Sequence, residues 1–219
     1  MALTLVIGNK SYSSWSMRPW ILLESLGVPY AEVVQPIHAQ GSREAILKVS
    51  PSGKVPALVD GDITVWDSLA ICEYLAESFP QLAVWPREKA ARAMARSMSA
   101  EMHSSFQALR QNCPTIAHRP KAAPDFTPDT LADIARIEAM WGDAREKFGA
   151  GGAFLFGAFS AADAMFAPIV WRFENYCAPV NGRTRAYMDA TMAMPAWKKW
   201  MKGAAAESWR IPRFEPQPA

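Results

Sequence analysis

Three short stretches of this chain carry residue types whose spacing suits ligand chemistry. Gly53-Lys54-Val55-Pro56-Ala57-Leu58 puts a proline at the mouth of an apolar run, where it cannot donate to a sheet ladder. Asp67-Ser68-Leu69-Ala70-Ile71 puts an acid and a hydroxyl at the start of an apolar helix, whose first N–H groups are free to hold an anion. Together they describe a loop that offers its backbone to a peptide-like ligand, beside a helix end that takes the ligand's carboxylate. Ser13-Ser14-Trp15-Ser16 adds hydroxyls ahead of another apolar helix. By their chemistry alone these serines read equally as helix caps and as donors to a ligand.

The elements that must position these stretches fall into two halves. In the first, Leu3 to Ile7 and Tyr30 to Val34 read as strands, and Met17 to Leu26 as a helix closed by Gly27. Ser42 is expected to cap a helix through Val49. Asp60-Gly61 between two apolar runs signals a hairpin, and a helix follows from Ser68 to about Ser78. The order βαβαββα requires a mixed sheet with helices packed on it. Beyond Pro86 no strand pattern survives. Arg87 to Cys113 holds neither Gly nor Pro, which predicts one helix roughly 40 Å long at about 1.5 Å per residue. Thr127-Pro128 opens a helix ending near Phe148-Gly149, and Ser160-Ala161-Ala162-Asp163 is a capping-box start for another, kinked by Pro168. Pro195 opens a last helix, and Phe214 to Ala219 reads as a loose tail. The expected domains are residues 1–82 and 87–219.

The bulk composition narrows the function. The 219 residues suffice to bury a real core, and 23 Lys+Arg against 21 Asp+Glu leave a net charge of only +2, which argues against nucleic acid. Cys72, Cys113 and Cys177 are odd in number and far apart, which suits a reducing, cytoplasmic compartment and neither a disulfide framework nor a zinc site. His38, His103 and His118 are scattered too, so no metal is expected. The apolar start is too short for a signal peptide, and no run approaches membrane-spanning length.

Ser13 to Arg18, Lys54-Val55-Pro56, Asp67-Ser68 and Ser160-x-x-Asp163 with Pro168 stand in an order that resembles the cytosolic glutathione transferases over nearly the whole chain. The serine pair, with Arg18 four residues after Ser14, is most similar to the zeta and theta classes. The resemblance implies a thioredoxin-like first domain (α/β) and an all-α second domain, glutathione as co-substrate, and a homodimer. It implies that Ser14, or else Ser13, hydrogen-bonds the glutathione sulfur. Val55, next to a cis Pro56, would pair with the cysteinyl backbone; Ser68 and Asp67 would hold the γ-glutamyl carboxylate and ammonium. Lys54, His38 and Gln40 would meet glutathione's remaining carboxylates. Trp15, Met98, Met102, His103 and Phe106 would line the pocket of a hydrophobic electrophile. The isomerases of the zeta class carry a cysteine where this chain has Trp15, which favours transfer over isomerisation, the alternative chemistry; a third reading is a glutathione- or ligand-binding protein without turnover.

Overall fold

The computed structural model describes residues 3–212 and residue 214. Strand β1 (Leu3–Ile7), helix α1 (Ser14–Leu26), strand β2 (Tyr30–Val34), helix α2 (Ser42–Leu47), the hairpin β3 (Ala57–Asp60) and β4 (Ile63–Trp66), and helix α3 (Ser68–Ser78) follow in the expected order. The sheet runs β2-β1-β3-β4, with β2 parallel to β1 and the other neighbours antiparallel. This is the thioredoxin-like arrangement. Its hairpin turns at Asp60–Gly61, where Gly61 takes φ 59° without the penalty a side chain would meet. Helix α1 ends as its sequence requires, with left-handed Gly27 donating back to Glu24 and Leu23.

Six helices complete the chain: α4 (Lys89–Ser104), α5 (Gln107–Asn112), α6 (Pro128–Phe148), α7 (Ala161–Asn175), α8 (Gly182–Ala193) and α9 (Pro195–Ala206). Helix α7 is the central post. Residues Ala161 to Phe173 are all buried, and they pack against α1, α4 and α8, so one apolar core runs through both halves. Its start is the expected capping box. Asp163 accepts from the N–H of Ser160 at 2.9 Å and of Leu155 at 3.0 Å, and from the Ser160 hydroxyl at 3.1 Å. Burial pushes the Asp163 carboxyl up to about 6, against those bonds.

Four expectations need correction. The long helix breaks at Ser105–Phe106, where Phe106 takes φ 65°. Side chains hold the break: Arg110 Nε donates to the Ser105 carbonyl, its Nη2 to that of Met102, and Asp133 accepts from the Leu109 N–H. The first helix begins three residues early, at Ser14. Ser42 is the first residue of α2 and not its cap; left-handed Gly41 precedes it, and the Ser42 hydroxyl donates to the Pro36 carbonyl. That helix also stops at Leu47 instead of Val49. Helix α8 was not expected, because its residues show little amphipathic pattern. Of the tail, Phe214 packs edge-on to His38 and tilted against Tyr12; residues 215–219 lie outside the described residues.

Candidate functional site

The loop between β1 and α1 sets the first wall of the site. Asn9 anchors it twice, its carbonyl accepting from Tyr12 and Ser13 and its side chain from Ile37. A Cβ at Gly8 would lie 2.9 Å from Ile37 and close to Val55 and Ser13, so only glycine lets these segments meet. Ser13 caps α1: its Oγ accepts from the Ser16 N–H at 3.3 Å and donates to Ser16 Oγ at 2.7 Å, which in turn accepts from Gly8. Ser14 opens the helix and is 6% exposed. Among the described residues nothing bonds its hydroxyl, which lines a crevice of about 390 Å³ with Trp15, Val55 and Lys54. Glu207 and Ala204, at the end of α9, hold the same loop from outside: the Glu207 carboxylate accepts from the N–H of Lys10 and Ser11, and the Ala204 carbonyl from the Ser11 hydroxyl.

A second hollow, about 490 Å³, shares Trp15, Lys54 and Val55 with the first and ends on Asp67 and Ser68. The Val55–Pro56 bond is cis. Asp67 sits at φ 69°, ψ 163°, a region that glycine almost alone adopts, and caps α3 by accepting from Leu69 at 2.8 Å. Its other oxygen meets His103 Nε2 of α4 at 2.6 Å. Ser68, 1% exposed, takes a bond from Arg18 Nη1 at 3.4 Å.

The expected site residues therefore separate. Ser13, Ser14, Trp15, Lys54, Val55, Pro56, Asp67, Ser68 and His103 converge on the two hollows, and His38 stands at the rim of the first. Gln40 is exposed and apart from both. Met98, Met102 and Phe106 are closed into the core, where the pattern of α4 already put its apolar face. His103 turns toward Asp67, while Glu101, two residues before it, turns away toward Arg136.

Arg110 and Arg172 also line the first hollow, opposite expectations built from the sequence. Arg172 is 4% exposed, and burial followed by repulsion from Arg110 lowers its pKa to about 10. One signal marked it: it is the lone cation among thirteen buried residues of α7. The break that turns Arg110 inward left no such sign. A larger hollow of about 810 Å³ between α6 and α8 is walled by Glu138, Arg145 and Tyr187, and none of the candidate residues reaches it. Among the described residues no three of His, Cys, Asp and Glu gather as metal ligands, and no helix is long and apolar enough to cross a membrane.

Residues 12–78 match the model of the glutathione S-transferase N-terminal domain, and residues 120–203 that of its C-terminal domain. A stringent starvation protein A homolog of Pasteurella multocida is 30% identical over 176 residues, 79% of this chain and 76% of that one. A zeta-class glutathione S-transferase of Euphorbia esula is 35% identical over 99 residues, covering 45% and 44% of the two chains. In three dimensions, a glutathione transferase homolog from Burkholderia, solved with bound glutathione, superposes at a TM-score of 0.72 with 22% identity. The match spans 94% of this chain and all of the other.

Proposed function

This chain belongs to the glutathione S-transferase family, and on that premise we propose that it binds glutathione along the first wall and activates its thiol for transfer to an electrophile. The observation that carries this reading is the division of labour between two adjacent serines. Ser13 is engaged in capping α1, while the Ser14 hydroxyl lines the crevice with no partner among the described residues.

In this reading the γ-glutamyl carboxylate sits on the Ser68 hydroxyl and N–H at the start of α3, with Asp67 toward the ammonium. Val55 pairs its backbone with the cysteinyl unit, and Lys54 and His38 stand toward the glycyl end. The sulfur then lies at Ser14. A free thiol ionises near pH 8.5, and lowering that by about two units needs roughly 2.7 kcal/mol of preference for the anion. A hydroxyl donor on the first residue of a helix supplies it, since the bond and the helix dipole both favour negative sulfur. The thiolate's electron pair forms the new S–C bond, and the displaced group leaves with its own pair. Trp15, standing where the isomerases carry cysteine, favours transfer over isomerisation. The free thiols at Cys72, Cys113 and Cys177 suit a cytoplasmic enzyme. The exposed Ile63 and Trp66 on the edge strand β4 suit a homodimer.

The test is an ultraviolet difference titration of bound glutathione in wild type and Ser14→Ala. Wild type should show a thiol pKa near 6.5, about two units below the free value, and the variant a return toward it. A second reading, a glutathione-binding protein without turnover, is favoured by the Pasteurella relative. It matches both halves of this chain and is not named as a transferase. An ordinary thiol pKa in wild type would select it.

A further inference from the structure

The wall facing Ser14 across the crevice is charged in a way that an apolar electrophile leaves unexplained. Arg110 of α5 and Arg172 of α7 line it, and Arg18 of α1 lies alongside. The guanidinium groups of Arg18 and Arg110 stand 4.1 Å and 4.9 Å from the centre of the Trp15 ring. Arg18 is wholly buried, with Nε and Nη2 making no hydrogen bond among the described residues and Nη1 3.4 Å from Ser68 Oγ. Among those residues Arg172 bonds to carbonyls alone, Nε to Cys113 at 2.8 Å and Nη1 to Pro168 at 3.4 Å. Arg110 likewise bonds to the carbonyls of Ser105 and Met102.

Among the described residues no carboxylate stands within ion-pair distance of any of the three. Their charges oppose one another: Arg18 is held well below its ordinary pKa by burial and then by Arg110 and Arg172. Carbonyls satisfy these donors but, being neutral, leave the positive charges themselves unbalanced. Asp133 and Asp67 offset part of the charge of half-buried Arg110 and of Arg18 from beyond ion-pair distance, but no carboxylate among the described residues does so for buried Arg172. Such a cation is costly, and a ligand that brings an anion relieves that cost.

We propose that the crevice recognises its second substrate by an acidic group, a carboxylate docked on Arg110 and Arg172. The inference rests on glutathione occupying the first wall with its sulfur at Ser14. Two guanidinium groups fit a planar carboxylate as paired forks. The electrophile is then an organic acid whose reactive carbon lies between the arginines and Ser14, with Trp15 as its apolar floor.

The experiment compares S-(4-carboxybenzyl)glutathione with its 4-carbamoyl analogue by calorimetry on the full chain. Wild type should bind the acid at least about tenfold tighter than the amide, the usual scale for a charge-assisted bond. Arg110→Gln and Arg172→Gln should bring the ratio toward one, and Arg172→Lys should keep part of it. Equal affinities in wild type overturn the inference, as does a preference that survives both glutamine variants. Equal affinities together with weakened binding of plain glutathione in Arg110→Gln would place the arginines on glutathione's own glycyl carboxylate, and overturn it too. Benzoate and benzamide, titrated without glutathione, separate the two readings. If neither conjugate binds but benzoate is preferred, the acid site stands and the glutathione reading falls; with no preference for benzoate, both fall.

Discussion

The crevice has one wall made of backbone and short hydroxyls and another made of long charged side chains. On the first, Ser14, Val55 and Ser68 line the hollows with groups within one or two bonds of the main chain, at or near helix ends. On the second, His103, Arg110 and Arg172 reach inward from three helices, each held by a contact of its own. A wall of main-chain atoms suits a ligand that never changes. A wall of side chains can be altered residue by residue to suit one that does.

Breaking the comparison begins at its support. Asp163 fixes the start of α7, the helix that carries Arg172, so Asp163→Ala should leave the N–H groups of Leu155 and Ser160 unpaired and cost about 3 kcal/mol in urea unfolding. A loss under about 1 kcal/mol would deny the box that role. Its pH dependence has a definite sign. Because the folded carboxyl is raised to about 6 from its ordinary value of 3.8, the native state keeps a proton that the unfolded chain releases. This group's contribution is full below about pH 4 and is lost as pH climbs through about 6. Asp163→Asn should flatten that part of the stability profile; a profile identical to wild type would contradict the buried, proton-holding state.

The first wall is tested next. Ser68→Ala should weaken glutathione binding about tenfold by calorimetry, since a charge-assisted bond is worth about 1.5–3 kcal/mol. An unchanged affinity would remove the start of α3 from ligand binding. Ser13→Ala should cost about 1 kcal/mol of stability through the lost cap and leave the thiol pKa of bound glutathione where it was. A thiol pKa that rises instead would move the donor's role from Ser14 to Ser13. Smallest is His103→Ala. Its bond to Asp67 is partly exposed, at 31% and 44% of the two side chains, and should contribute under about 1 kcal/mol. Glutathione affinity should change less than about threefold, whereas a larger drop would make the first wall dependent on the second.

The same contrast decides how much could be read from the sequence. Gly27, Asp60-Gly61, Thr127-Pro128 and Ser160 with Asp163 carry local chemistry that fixes a turn or a cap wherever it occurs, and all four sit where expected. Likewise Ser13, Ser14, Val55, Asp67 and Ser68 are local devices, and the fold brings them together. The break between α4 and α5 carries no glycine or proline. It depends on Arg110 folding back onto the carbonyls of Ser105 and Met102 and on Asp133 reaching Leu109 from α6, which no helical periodicity reveals. Arg18, Arg110 and Arg172 are each ordinary in their own segments, and only tertiary packing makes them a cluster. Met98 and Met102 show the reverse error, since an apolar residue at helical spacing fits core and pocket alike.

The grip of Glu207 on Lys10 and Ser11 spans 197 and 196 residues of chain. During synthesis the loop that presents Ser14 is made long before α9, so its backbone donors gain their carboxylate partner only once that helix has followed. Until α9 has been made this loop lacks one of its anchors, so its final shape is set by a segment far downstream of it.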